Sequence, residues 1–189
     1  MRYEMRLAGS GGQGLVLAGI VLAEAGLTEG HSVVHSQNYG PEARGGNSVS
    51  EVIFSDEEID YPKAMGLDLL VALTQRSCTD NLPDMKADGL IIVDSAPVKK
   101  VLWGKVLRLP LQREADHTFQ DPRVVNMLAL GVLTPFCRFV SEESIVRSIS
   151  QRLPAATLEL SLKAYRAGLA RGRELQGGTF HELEDAIEV

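Results

Sequence analysis

The sequence predicts an α/β protein, with a mostly parallel, Rossmann-like sheet flanked by helices and a helical C-terminal part. Three observations predict it. A glycine run, Gly9-Ser10-Gly11-Gly12-Gln13-Gly14, stands between a strand-like and a helix-like stretch. Two continuous apolar runs, 67–73 and 89–94, read as strands buried on both faces. Beyond Asp121 the apolar residues recur at helical spacing.

Residues 3–8 alternate well enough to form the first strand, and the run from Leu15 to Ala23 reads as the helix after the glycines. Gly26 and Gly30 close that helix, and 31–35 reads as a second strand. A loop over 36–47 follows, then a third strand over 48–54 with one solvated or interfacial face. Between the two apolar runs, 74–87 should hold a helix interrupted at Pro83, and the C-terminal ends of both strands should face a crevice. A shorter strand is expected over 105–109. Asp121-Pro122 supplies an N-cap and first-turn proline for a helix with an apolar stripe over 124–136. Ser141-Glu142-Glu143 opens another helix, ending near Leu153-Pro154. The last helix, 158–175, carries Leu158, Leu162, Tyr165 and Leu169 at helical spacing. One domain over 1–176 and a short acidic tail over 177–189 are expected.

The 189 residues are 44% hydrophobic but only 5% aromatic, so the core must be aliphatic, as parallel sheets are. A net charge of −6 argues against nucleic acid or an anionic membrane as partner. Cys78 and Cys137 are far apart and form no C-x-x-C pair, so the chain cannot by itself hold an iron–sulfur cluster or a zinc ion. Neither a signal peptide nor a membrane-spanning run is visible, and a reducing cytoplasm is the simplest setting.

Strand, glycine loop and helix together make an anion cradle, in which backbone N–H groups and a helix N-terminus face a phosphate. Gly9, Gly11 and Gly14 match the G-x-G-x-x-G spacing of dinucleotide sites. An NAD site also wants an acid at the end of the second strand. His35-Ser36-Gln37 occupies that place, and the next acid is Glu42. The one arginine near enough to mark NADP, Arg44, sits inside a second motif. A stand-alone NAD(P)-binding oxidoreductase is therefore only the alternative reading.

The second motif comprises Tyr39, Gly40, Pro41, Glu42, Ala43, Arg44, Gly45 and Gly46, a glycine- and proline-shaped loop with one acid, one guanidinium and one phenol. Its plain reading is a polar turn with a surface Glu42–Arg44 pair. Other candidates carry less. His31, His35, His117 and His181 show no metal spacing, and no metal site is expected. Asp94 and Ser95 end a strand at the crevice, where a capping role suffices. Lys99 and Lys100 read as solvent-facing, and no base identifies Cys78 as a nucleophile.

The two glycine loops taken together resemble the gamma subunits of 2-oxoacid:ferredoxin oxidoreductases, most nearly the 2-oxoglutarate and branched-chain members. Ile59-x-x-Pro62 and Asn126-Met127-x-x-Leu130-Gly131 agree, and the resemblance spans about residues 7–172. One departure is Ser161, where related chains often carry Asn ahead of residues matching Ala164 and Gly168. The resemblance implies a complex that converts a 2-oxoacid and coenzyme A to acyl-CoA and CO2 and reduces ferredoxin. It implies no catalytic residue here; thiamine diphosphate and iron–sulfur clusters would lie in alpha and beta partners and a ferredoxin-like delta subunit. It further implies coenzyme A as co-substrate near Gly9, Ser10, Gly11, Gly12, Gln13 and Gly14. The Tyr39–Gly46 loop would border the active site at a subunit contact, and two copies of the chain would meet in a homodimer contact.

Overall fold

Alternation along the central strands sends side chains to both faces of one sheet. The computed structural model describes residues 1–39 and 46–177. In chain order the elements are β1 (Arg2–Ser10), α1 (Leu15–Thr28), β2 (Ser32–Tyr39), β3 (Asn47–Ser55), β4 (Leu67–Ala72), α2 (Gln75–Asn81), β5 (Met85–Asp94), β6 (Val106–Leu109), α3 (Leu111–His117), α4 (Val125–Leu133), α5 (Glu142–Arg152) and α6 (Ala155–Gly177). The six strands stand in the order β2-β3-β1-β4-β5-β6. β1, β4, β5 and β6 are mutually parallel, whereas β3 runs antiparallel to both β1 and β2.

Met5 and Leu7 of β1, Leu69 and Val71 of β4, and Leu90 and Ile92 of β5 join the helices α1, α3, α4, α5 and α6 in one core. Ala8, Leu70, Ala72, Ile91 and Val93 point the other way. There the thinner cover consists of Cys78 on α2 and the stretch through Val98, Val101 and Trp103. Burial on both faces is why 67–73 and 89–94 read as unbroken apolar runs.

The structure departs from the sequence reading in four places. β1 and β2 run on to Ser10 and Tyr39, so each glycine motif starts inside a strand. The helix expected over 74–87 is one short helix, α2, capped by Thr74; a 3₁₀ turn at Leu82–Asp84 follows, and β5 starts at Met85. Pro83 sits in that turn, where the lack of an amide proton prevents α2 from continuing. α3 was not foreseen. It buries only Leu111 and Ala115, too few residues to register a period, and Asp94 Oδ2 at the end of β5 accepts from its Gln112 N–H at 3.0 Å. The last helix is longer than its apolar stripe.

The segment before β4 is pinned to the sheet by two carboxylates, the buried Glu4 and the half-buried Glu51. Glu4 Oε2 accepts the Met65 and Gly66 N–H groups at 2.7 Å each, and Glu51 Oε1 accepts from Ala64 at 2.8 Å. Burial alone would push Glu4 up, but those two amides and the Arg2 guanidinium hold its carboxyl below the usual range.

Candidate functional site

Gly9 and Ser10 stand at the C-terminal end of the interior strand β1, paired with Ser48 and Asn47 of β3. The chain then folds back on itself. Gln13 Oε1 accepts the Ser10 N–H at 2.7 Å, and the Gln13 N–H donates to the Ser10 carbonyl at 3.2 Å. Gly9 permits this, because a Cβ there would lie 2.3 Å from Gln13 Oε1 and 2.9 Å from Leu15 Cδ1. Gly14 turns the chain into α1 with φ 74°, the left-handed region. A Cβ at Gly14 would lie 2.4 Å from Asn126 Nδ2, which donates to the Gly14 carbonyl at 3.1 Å.

The two sequence motifs meet here. The Gly11 N–H donates to the Gly46 carbonyl at 2.8 Å, joining the glycine loop to the last residue of the second motif. The amides of Ser10, Gly11 and Gln13 are thus used within the protein. Those of Gly12, Gly14 and the opening turn of α1 have no protein partner among the described residues. No side chain caps α1 and its first turn carries no acid, so the positive end of its dipole is open to an anion.

A cavity of about 290 Å³ adjoins this loop, bounded by Gly12 and Gly14, the start of α1, the start of α4 and the junction of α5 with α6. Leu17, Met127, Leu153 and Leu160 make it apolar, and Asn126 and Ser161 supply polar groups. Two exposed arginines line it, each already held by an acid. Asp121 binds Arg123 through two contacts of 2.8 and 2.6 Å, and Glu24 binds Arg152. A larger, open concavity of about 700 Å³ lies elsewhere, lined by Arg6, Val34, Asn38, Val49 and Lys63, and includes no glycine-loop residue.

Tyr39 ends β2; Gly40, Pro41, Glu42, Arg44 and Gly45 lie outside the described residues, as do His181 and the tail from 178. The remaining candidates have structural partners. His35 Nε2 sits 2.9 Å from Ser50 Oγ beneath α1, and burial pushes the imidazole down. His31 Nδ1 lies 3.4 Å from Asp56, and His117 ends α3. Asp94 is fully buried and accepts from Ala96 and Gln112, a capping role; burial pushes its carboxyl up. The Ser95 N–H donates to the Leu109 carbonyl, and Gln75 Oε1 accepts the amides of Lys99 and Lys100. Cys78 and Cys137 belong to different core clusters, and burial raises both thiols, Cys137 to about 12. Among the described residues no three His, Cys, Asp or Glu side chains form a metal-binding group. No helix there is long and apolar enough to cross a membrane. Asn126 and Ser161 at the cavity, singled out in sequence only through the resemblance, had no local signal of a site.

The dinucleotide reading also fails on topology. In such a site the strand after the first helix lies beside β1 and presents its acid to the ribose. Here β3 intervenes, so the end of β2 is two strands away, about 10 Å.

Residues 4–171 match the family described as Pyruvate ferredoxin/flavodoxin oxidoreductase. The 2-oxoglutarate synthase subunit KorC of Methanocaldococcus jannaschii is 40% identical, over 93% of this chain and 96% of that one. A keto/oxoacid ferredoxin oxidoreductase gamma subunit from Geobacter sulfurreducens superposes with a TM-score of 0.80 at 38% identity, over 91% of this chain and 99% of that one. The 2-oxoglutarate:ferredoxin oxidoreductase of Magnetococcus marinus shares the fold, with a TM-score of 0.82 at 22% identity over 97% of this chain and 33% of that one. The chain belongs to the pyruvate ferredoxin/flavodoxin oxidoreductase family.

Proposed function

We propose that this chain is the gamma subunit of a CoA-acylating 2-oxoacid:ferredoxin oxidoreductase, and that its glycine loop helps to position coenzyme A. In the overall reaction the 2-oxoacid loses CO2 and the remaining acyl carbon gives up two electrons to two ferredoxins. The coenzyme A sulfur takes the acyl group and releases its proton. The electron sink and the one-electron carriers belong to partner subunits. The chain's two cysteines are buried in separate core clusters and do not suit an iron–sulfur cluster, which supports carriers held by those partners. What the chain contributes is a set of N–H groups that hold a diphosphate, joined through Gly46 to a second motif that serves a subunit contact.

The observation that carries the reading is the set of unpartnered amides at Gly12, Gly14 and the uncapped start of α1, tied through Gly11 to the second loop. The partners are alpha and beta chains, a ferredoxin-like chain and a second copy of this one, in a reducing cytoplasm. 2-Oxoglutarate is the first acid to test, because the KorC relatives carry that name. The test is reconstitution with the alpha and beta chains. Gly12→Val alters the backbone where no side chain would clash, and should raise the KM for coenzyme A about tenfold, with the complex still assembled. An unchanged KM in an intact complex would refute the loop assignment. Oxidation of 2-oxoglutarate by the purified chain alone would refute the non-catalytic role.

A further inference from the structure

We infer that β2, at the open edge of the sheet, pairs antiparallel with β2 of a second copy of this chain, so that two six-stranded sheets join into one across a two-fold axis. The proposal gives a surface to the second copy named among the partners above, and it does not depend on where coenzyme A binds.

β2 and β6 are the two edges of the sheet, and they are finished differently. β6 has four residues, carries Arg108 just after Lys105 and runs into Pro110, all features that discourage another strand from adding there. Arg108 also reaches across to the Val98 carbonyl at 3.1 Å. β2 has none of these guards. Its eight residues, Ser32 to Tyr39, include no Lys, Arg, Asp, Glu or Pro, and it pairs with β3 residue for residue without a bulge. An antiparallel strand gives its neighbour the N–H and C=O groups of alternate residues and turns the other half outward. The outward groups of β2 have no partner among the described residues. Gly19 and Gly26 bring α1 down onto one face of the strand: a Cβ at Gly19 would lie 2.9 Å from His35 Nε2, and one at Gly26 3.1 Å from Val33 Cγ2. Val34, Ser36 and Asn38 on the other face border the open concavity of about 700 Å³, and the edge between the two faces is left for another strand.

The occupant is a second copy because the strand suits itself. At a net charge of −6 two copies of the chain repel at long range, and β2 offers them a strip without charge. His35, the one imidazole in it, lies beneath α1 where burial favours the neutral ring. An antiparallel pair of identical strands is isologous, so both copies use the same patch and every contact occurs twice. Side chains alternate between faces, so paired residues must share a face, and the two-fold axis passes beside a residue that meets its own copy. The middle of β2 makes that residue His35 or Ser36. With Ser36 at the axis, Val34 faces Asn38 of the second copy and Val33 faces its Tyr39, β-branched, amide and aromatic groups that suit cross-strand contact.

Sedimentation velocity and light scattering on the full chain should find a dimer that dissociates on dilution. Ser36→Lys puts a charge on the open face of the strand, beside its own copy, and should raise the dissociation constant about a hundredfold with the circular dichroism spectrum unchanged. Leu102→Lys, at a residue 92% exposed in the stretch before β6, should leave the dimer intact. Hydrogen exchange on the native chain decides even if Ser36→Lys fails to fold. The outward amides of β2 should exchange slowly at concentrations where the dimer forms and fast where it dissociates. A chain that is monomeric at every concentration, or a dimer whose β2 amides stay unprotected, would overturn the proposal. So would a dimer that survives Ser36→Lys, or one lost in Leu102→Lys alone. If the chain is monomeric by itself and Ser36→Lys instead releases the alpha or beta chain from the complex, the edge serves a different partner and the second copy falls. No coenzyme A enters these measurements, so the Gly12→Val test of the glycine loop stands or falls separately.

Discussion

Replacing Gly14 by alanine adds one methyl group where the glycine loop becomes α1, and two separate costs follow from the geometry. The first is backbone strain: at φ 74°, a residue with a Cβ costs about 1–2 kcal/mol. The second is steric. The new Cβ would stand 2.4 Å from Asn126 Nδ2 and 3.0 Å from its Cγ, so the buried amide must move and give up its bond to the Gly14 carbonyl. Breaking a buried hydrogen bond costs about 1–2 kcal/mol, which brings the total to about 2–4 kcal/mol. For a chain of this length that is a fall in Tm of about 4–16 °C. Gly12→Ala supplies the control: its φ is 96°, but nothing lies within 4 Å of the added Cβ, so it carries strain alone. Thermal and urea unfolding followed by circular dichroism should therefore place Gly14→Ala about 1–2 kcal/mol below Gly12→Ala. Shortening Asn126 to alanine in the same chain should remove that excess. Equal costs for the two glycine variants, or an excess that survives Asn126→Ala, would show that Asn126 does not fill the space beside Gly14.

Other consequences can be measured on the same material. Gly168→Ala puts a Cβ 2.1 Å from the Leu128 carbonyl and Gly131→Ala puts one 2.1 Å from that of Tyr165, so either change must separate α4 from α6. Each should cost more than about 3 kcal/mol, and a soluble variant melting close to the wild type would refute that packing. Glu4 has a folded-state pKa below its unfolded one, so its contribution is complete above the ordinary carboxylate range and is lost as pH falls through the folded value. Tm should therefore drop on acidification below about pH 4, and drop less steeply in Glu4→Gln, which starts from a lower Tm at pH 7. An equally steep acid fall in that variant would contradict the role of Glu4. With both thiols buried and raised, Cys78 and Cys137 should resist iodoacetamide at pH 8 in the native chain and react fully in guanidinium. Rapid native labelling of either would refute their burial.

What the sequence disclosed and what it concealed divide along physical lines. The buried central strands were legible because burial on both faces leaves only aliphatic side chains, as in Leu69-Leu70-Val71. α5 was legible because Ser141 caps it locally, with Ser144 completing a reciprocal pair of bonds. α3 was not, because its capping acid, Asp94, arrives from the end of another strand. The direction of β3 was hidden for a similar reason: alternation in Ser48-Val49-Ser50-Glu51 reports faces, and partners alone decide parallel from antiparallel. At the site, the two glycine motifs announced themselves by composition. The cavity did not, since Leu17, Asn126, Leu153 and Ser161 come from three distant stretches and only the packing of α1, α4 and α6 assembles them.

The antiparallel β2–β3 pair also separates the G-x-G-x-x-G spacing of this chain from the surroundings it has in a dinucleotide site. G-x-G-x-x-G requires only that a strand turn tightly into a helix and let an anion approach; the groups beside the loop read the rest of the ligand. In a dinucleotide site the neighbour is a parallel strand ending in an acid. Here it is β3, and the Gly46 carbonyl just before it takes the Gly11 N–H. That bond uses the Gly11 amide within the protein. Gly12 and Gly14, whose amides have no protein partner among the described residues, line the same cavity as Leu17, Asn126 and Ser161, and the carboxylate there, Asp121, is held by Arg123. The hydrogen bond between the two motifs thus occupies the Gly11 amide on the side where β3 stands in place of the acid-bearing strand of a dinucleotide site.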